Sequence, residues 1–343
     1  MEFIPTAVRP LGLGELTALL LQPHASITLQ CLARDPKING DIVTGTATMD
    51  GRLTFNEPAT IYALVPNGGW LPVPFISPQH FLLDRNVVVN FRKLRQNRNF
   101  SDRKAHQFWT GFFEQGTALF NPLPYALEGE ARRVPDFDEF VQAFEQGVKD
   151  VEEIFPRCGV VRYSPDHYRL AYAQLQAIHA NTPSEIEFIC EISPLLVAPT
   201  SGAKLRSVAD RMLEIADRHK VGRQSLALLI ALSCLFEDPQ SRSKSIGRKI
   251  LNPSQTYNAG DAYNAISDLR HIELAATGHA WVTQGSFALC TSDKAVASLW
   301  CALGIRDIVQ TTTGAEYTFD FSPDLFPRLT EAGIREMASL LAG

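Results

Sequence analysis

Two short apolar runs in this chain each lead into an acid that opens a helix, and that arrangement restricts the fold more than any other feature. Residues 81–83 (Phe-Leu-Leu) run into Asp84 and a helical segment, and residues 287–290 (Phe-Ala-Leu-Cys) run into Thr291-Ser292-Asp293 and a small-residue helix. A further strand is predicted over 117–120 and another over 317–321. Helices are predicted over 137–154, 165–180, 184–197, 203–219, 225–237, 259–277 and 293–303. Strands separated by helices need crossover connections, so the core is expected to be α/β with a mainly parallel sheet flanked by helices. Between 137 and 250 helices dominate, which reads as a large helical insertion.

The N-terminal part differs in character. Short β-like runs over 26–31, 41–49, 52–55 and 60–64 are broken by turn residues, with Asp50-Gly51 as a two-residue hairpin signal. The loop-forming Pro66, Asn67, Gly68, Gly69, Pro72, Pro74 and Pro78 then predict a boundary near residue 76. The expected organisation is a small β-rich N-terminal unit over 1–76 and an α/β domain over 77–343, with its helical insertion at about 137–250.

The chain has 343 residues, 45% of them apolar, which is enough for a large core. With 32 basic and 37 acidic residues it carries a net charge of -5, which excludes a generally basic coat but not a local basic groove. Its six cysteines are scattered without CxxC spacing and read as buried thiols of a reducing compartment. The longest apolar run, 226–236, is too short for a bilayer span, and Glu15 interrupts the apolar stretch over 11–21. A soluble, cytoplasmic protein without membrane contact is expected.

Common enzyme motifs fail. Gly12 and Gly14 lack the third glycine of a dinucleotide fingerprint, since Thr17 holds that place. Phosphate loop, nucleophile elbow and HExxH are all missing from the sequence. The histidines, among them His106, His167, His271 and His279, lack ligand spacing and read as surface or satisfied core residues.

The acids carry more information. Asp84 stands at a strand end, where open α/β sheets collect ligands, and equally suits a helix N-cap. Glu128, with Glu130 as its competitor, follows the next apolar run and is expected to open a helix at the same edge. Asp261, Asn264 and Asp268 recur at i, i+3 and i+7, which places three oxygen-bearing side chains on one face of a helix whose other side holds Ile266, Leu269 and Ile272. Asp293 stands at the second strand end, two residues after the hydroxyl of Thr291. Taken singly, each acid is also explained by capping or by a solvated helix face.

Taken in order, these motifs resemble the PIN domain family of metal-dependent ribonucleases. The family's opening pattern, an apolar strand followed by D-x-N, is matched by Leu82-Leu83-Asp84-Arg85-Asn86. Its second acid falls at Glu128, its helical acid at Asp268, and its closing T-x-D at Thr291-Ser292-Asp293. The resemblance covers parts of 79–135 and 255–310, under half of the chain. The long span from Glu128 to Asp268 and the extra residues 1–76 imply an elaborated, larger version. Family membership implies RNA cleavage, with a role as a toxin or defence effector and a restraining protein partner or inhibitor.

Converging carboxylates raise one another's pKa unless a counter-charge is present, and hard oxygen donors select Mg²⁺ or Mn²⁺. The expected ligands, directly or through water, are Asp84, Glu128, Asp268 and Asp293. Asn264 and Thr291 would organise them, with Asp261 as a weaker candidate. Basic residues flank these segments: Arg85, Arg92, Lys93 and Arg95 after the first acid, and Arg248 and Lys249 before the third. Phosphate-backbone contact fits such flanks, and Phe91, Phe100, Phe108 and Trp109 suit either base stacking or core packing. Two alternatives stay open: a catalytically silent PIN-like scaffold that binds a protein, and a small-molecule phosphohydrolase using the same acids.

Overall fold

The computed structural model describes residues 7–22, 26–34, 37–38, 41–42, 44–54, 61–66, 68–76, 80–99, 103–114, 118–128, 132–281, 287–311 and 315–342. The chain opens with β1 (Ala7–Val8) and β2 (Ser26–Arg34), a short ladder of β3 (Lys37–Ile38) with β4 (Asp41–Ile42), and then β5 (Thr46–Thr54). Strands β1, β2 and β5 form a small antiparallel three-stranded sheet.

The main sheet has six strands: β6 (Tyr62–Val65), β7 (Gly69–Leu71), β8 (His80–Leu83), β9 (Leu119–Asn121), β10 (Gly159–Val160) and β11 (Phe287–Thr291), in the order β10-β9-β8-β11-β6-β7. The pairs from β10 to β11 are parallel, whereas β6 and β7 extend the sheet antiparallel. The sheet is therefore mixed. A separate ribbon pairs β12 (Arg306–Gln310) with β13 (Ala315–Thr318).

Helix α1 (Leu13–Leu21) lies between β1 and β2. Strand β8 leads through α2 (Arg85–Arg95) and α3 (Arg103–Phe113) to β9, and β9 through α4 (Leu123–Glu128) and α5 (Phe137–Ile154) to β10. Between β10 and β11 come α6 (Pro165–His179), α7 (Thr182–Leu196), α8 (Leu205–Arg218), α9 (Leu226–Leu235), α10 (Ile246–Leu251) and α11 (Ala259–Trp281). Helix α12 (Lys294–Leu303) follows β11, and α13 (Glu331–Ala342) follows the ribbon.

Strand alternation sorts the apolar side chains into two layers. Phe81 and Leu83 of β8 and Ala288 and Cys290 of β11 pack with Val87, Phe91, Phe113 and Phe155 on one face. Leu82, Phe287 and Leu289 face the other, larger layer, built largely from the helical stretch and α12. Helix α9 is buried all round, and α11 is buried on most sides, so Asp268 lies on a central helix rather than on an amphipathic surface one.

Two expectations about the N-terminal part are corrected. Asp50 and Gly51 do not form a hairpin turn: β5 runs straight through them, with Asp50 opposite Gln30 and Gly51 opposite Leu29. A two-residue turn of that type needs positive φ at both residues, and neither is among the residues that adopt it. Nor does the chain divide near residue 76. Strands β6 and β7 belong to the main sheet, where Leu64 pairs with Leu289, and the Trp300 indole donates to the carbonyls of Val65 (3.0 Å) and Gly69 (2.9 Å).

Helix α12 ends at Gly304, whose φ of 55° is left-handed and whose position would bring a Cβ within 2.3 Å of the Asp320 carbonyl oxygen. Gly304→Ala is expected to cost about 2–3 kcal/mol through backbone strain and overpacking. Chemical denaturation checks this, and an unchanged midpoint would refute the close approach.

Candidate functional site

Strands β8 and β11 are parallel neighbours whose ends coincide: the Asp84 amide donates to the Cys290 carbonyl at 3.0 Å. From β8 the chain turns to β9 on one side, while β11 lies on the other, so a crevice opens between the carboxyl ends of this pair. By alternation, the residues that follow Leu82 and Leu289 on their face are Asp84 and Thr291. The Thr291 hydroxyl donates to Asp84 Oδ2 at 2.6 Å and accepts from the Asp293 amide at 2.9 Å. One hydroxyl thus links the two strand-end acids.

Their roles differ. Asp293 caps α12, its Oδ1 accepting from the amides of Ala295 (2.6 Å) and Val296 (3.1 Å). Asp84 holds the N-cap position of α2, yet its side chain makes no capping hydrogen bond. It is 1% exposed, and Oδ1 is buried without a hydrogen-bond partner among the described residues. A buried orphan acceptor is costly, so capping does not explain an acid here.

Glu128 closes helix α4 rather than opening a helix, contrary to expectation. The reason lies at the other end: Asn121 Oδ1 accepts from the Leu123 amide at 3.0 Å and starts the helix directly after β9. The Tyr263 hydroxyl donates to the Glu128 carbonyl at 3.1 Å, fastening the end of α4 to α11. Among the described residues, Glu128 Oε2 is buried without a hydrogen-bond partner, with Arg85 Nε 3.9 Å away. Glu130 lies outside the described residues.

The charges converge. Burial pushes the Asp268 carboxyl well above the usual range, and Asp293, Asp84 and Glu128 push it the same way. Burial also raises Glu128; His271 opposes this, Asp84 adds to it, Arg85 opposes it and Asp293 adds to it. Acids from β8, α4, α11 and the start of α12 therefore share one electrostatic environment. Asp261 serves another purpose, its Oδ2 accepting from the amide (3.2 Å) and Nδ2 (2.7 Å) of Asn258 at the start of α11. Asn264 is exposed and makes no hydrogen bond to the four acids among the described residues.

The basic flanks divide. Arg92 is ion-paired with Asp150. Arg248 binds Glu237 through Nε (2.8 Å) and Nη2 (2.6 Å) and donates from Nη2 to the Leu196 carbonyl at 2.6 Å. Arg242 donates to the same glutamate at 2.7 Å. Burial would raise Glu237, but these two arginines outweigh it and hold the carboxyl below its usual value. Arg248 thus ties α10 to the end of α7 and is not free for phosphate. Arg95 and Lys249 are exposed and Lys93 is half-buried. Phe91 and Trp109 are core residues, Phe108 is exposed, and Phe100 lies outside the described residues.

One feature matches expectation and one was not foreseen. His271, expected as a surface or satisfied core residue, is a satisfied core residue: it is 2% exposed, donates from Nε2 to the Pro124 carbonyl at 3.4 Å, and draws the Glu128 carboxyl down against burial. Behind it lies a buried ionic cluster. Arg270 pairs with Glu185 and with Glu273 (2.8 Å), and Thr182 accepts from its guanidinium at 3.2 Å. In sequence, Arg270 and Glu273 look like any exposed i, i+3 pair.

Among the described residues, no group of three or more His, Cys, Asp or Glu side chains is arranged to hold a metal ion, and no helix is long and apolar enough to cross a membrane. Comparison with protein-family models, curated proteins and solved structures finds no match.

Proposed function

We propose that this protein is a PIN-like, divalent-metal-dependent endonuclease that hydrolyses phosphodiester bonds of RNA. The observation that carries this reading is the buried Asp84 Oδ1, without a hydrogen-bond partner among the described residues, at the carboxyl ends of β8 and β11 and within the electrostatic reach of three further acids from separate elements. An all-oxygen donor set fits Mg²⁺ or Mn²⁺. Mg²⁺ keeps several waters and takes only one or two carboxylates, so a three-donor cage is not required. Such an ion supplies a lowered water pKa and neutralises charge developing on the phosphate.

The chain's own residues then have distinct tasks. Thr291 fixes Asp84 through Oδ2 and leaves Oδ1 for the site. The amides of α12 hold Asp293 through Oδ1 and leave its other oxygen available. Burial and its acid neighbours raise the Asp268 carboxyl, a push that a bound cation would oppose. Lys93, Arg95 and Lys249 remain as backbone-binding candidates. The choice of RNA, and a role as a toxin or defence effector with a restraining partner, rest on the family resemblance alone.

The test is cleavage of mixed-sequence single-stranded RNA by the full chain with Mn²⁺, Mg²⁺ or EDTA, beside Asp268→Asn. Metal-dependent cutting, reduced at least about 100-fold in the variant, is expected. A second reading, a catalytically silent scaffold, draws on the lack of a three-donor arrangement among the described residues. Absence of both cutting and Mn²⁺ binding would favour it. Turnover of a phosphomonoester but not of RNA would favour a small-molecule phosphohydrolase.

A further inference from the structure

We propose that this protein forms a two-fold homodimer in which β5 of one copy pairs antiparallel with β5 of a second copy, centred on Gly51, so that the two three-stranded N-terminal sheets join into one. The pairing uses no residue of the acid cluster and stands independently of the function proposed above.

Strand β5 is the outermost strand of the order β1-β2-β5, and among the described residues no strand covers its other edge. In an antiparallel ladder, every second residue of an edge strand turns its N–H and C=O away from its neighbour and leaves them open to a further strand. Proteins ordinarily keep such edges from pairing by shortness, bulges, proline or lysine. Strand β5 has none of these. Its register against β2 runs unbroken from Thr46 to Thr54, and its sequence Thr-Ala-Thr-Met-Asp-Gly-Arg-Leu-Thr contains neither proline nor lysine. Solvent reaches the edge: Thr46, Thr48, Asp50, Arg52 and Thr54 are exposed, and Met49 is 44% exposed.

The side chains select the partner. Met49, Gly51 and Leu53 stand opposite Cys31, Leu29 and Ile27, all buried, so the odd-numbered residues of β5 belong to the apolar face of the sheet and Asp50 and Arg52 to the other. A second β5 related by a two-fold axis through the sheet keeps the apolar faces together when a residue of each copy sits on the axis. Centred on Asp50, the two Asp50 carboxylates would face each other, and centred on Arg52, the two guanidiniums would. Centred on Met49, both charges would face threonines. Centred on Gly51, Asp50 of each copy faces Arg52 of the other, Met49 faces Leu53 and Thr48 faces Thr54. Opposite charges across paired strands stabilise and like charges directly opposite destabilise, so the Gly51 register is favoured over the others. Both charges are available for it: among the described residues Asp50 meets the Gln30 amide group at 3.4 Å, and Arg52 makes no ion pair.

Sedimentation velocity of the full chain between about 1 and 100 µM measures association for wild type, Asp50→Arg, Arg52→Asp, the double variant and an equimolar mixture of the two single variants. The wild type is expected to dimerise reversibly. Each single exchange sets like charges opposite each other at two places and is expected to weaken the dimer at least about 10-fold. The double variant restores the opposite charges and should dimerise as the wild type does. The mixture should form a heterodimer, since one chain then offers two cations on β5 and the other two anions, and its formation also shows that both single variants are folded. A wild type that stays monomeric throughout the range would overturn the proposal, as would a dimer that either exchange leaves unchanged. Loss of the dimer in the single variants with no recovery in the mixture or the double variant would overturn the Gly51 register.

Discussion

Replacing Asp84 with Asn is expected to reduce metal-dependent cleavage about 10²- to 10³-fold, the scale of losing one preorganised charge partner, while making the metal-free protein more stable. Both effects come from the same atoms. Asp84 is buried, its Oδ2 receives the Thr291 hydroxyl, and its Oδ1 has no partner among the described residues although Asp268 and Glu128 feel its charge. An asparagine keeps the acceptor for Thr291 and presents an amide donor to neighbouring carboxylates, so repulsion is exchanged for attraction. A gain of about 1 kcal/mol is expected, in line with stabilisation on removing a strained site charge. Thermal unfolding in EDTA and cleavage rates at saturating Mn²⁺ measure the two sides. A variant that melts lower and still cleaves would make Asp84 a structural residue.

The largest loss of stability is expected from Arg270→Met, about 3–5 kcal/mol, because removing one partner of a buried ionic cluster strands the others. Arg270 is 3% exposed and joins Glu185 of α7, Glu273 of its own helix and Thr182, while the Ser225 hydroxyl donates to Glu185 at 2.7 Å. Methionine fills similar volume but leaves the buried Glu185 and the partly buried Glu273 without their shared counter-charge. Burial, with Glu185 adding, already pushes Glu273 in the intact protein from 4.5 up to about 7, against the pull of Arg270. A folded carboxyl raised in this way contributes stability that is fully present below about 4.5 and is lost as pH rises through about 7. The Glu273 contribution is therefore expected to fall between pH 5 and 8, Glu273→Gln to remove that share of the pH dependence, and Arg270→Met to be least damaging at pH 5. Chemical denaturation at the two pH values decides, and a pH-independent cost under 1 kcal/mol for Arg270→Met would discard the cluster as a stabilising element.

What the sequence made legible follows from how local the signals are. Helix α5 was readable to the residue because Asp136 and Glu139 cap its start reciprocally, at 2.9 Å each way, and Phe140, Phe144, Val148 and Val151 repeat on its buried side. Strands β8 and β11 were readable because short apolar runs ended in helix openers. Less local features were lost. Asp50-Gly51 has turn composition, but nine residues of ladder to β2 override it. The expected boundary at 76 failed because loop-forming residues mark where the chain turns, and say nothing about which sheet receives the next strand.

The candidate site divides along the same line. The identities of Asp84, Asp268 and Asp293 could be read from strand ends and helix spacing. The environment that distinguishes them could not. Thr291 bridges Asp84 and Asp293, Asp84 has an unpaired oxygen, and Arg248 is consumed by Glu237. Each fact depends on contacts between segments far apart in sequence. Charge runs are the weakest guide, since composition does not reveal that Arg92 and Arg248 are already occupied.

The antiparallel extension of the main sheet sets a timetable for biosynthesis. Leu64 pairs with Leu289, and the carbonyls of Val65 and Gly69 are bound by an indole on Trp300. On a ribosome, β6 and β7 leave the exit tunnel long before their partner, and at ordinary elongation speeds the wait is roughly 10–45 s. Throughout it the nascent chain carries apolar strand edges that only its last third can cover. Such delayed, non-local pairing predicts slow folding and makes the emerging chain a natural client for chaperones that shield unpaired β-edges.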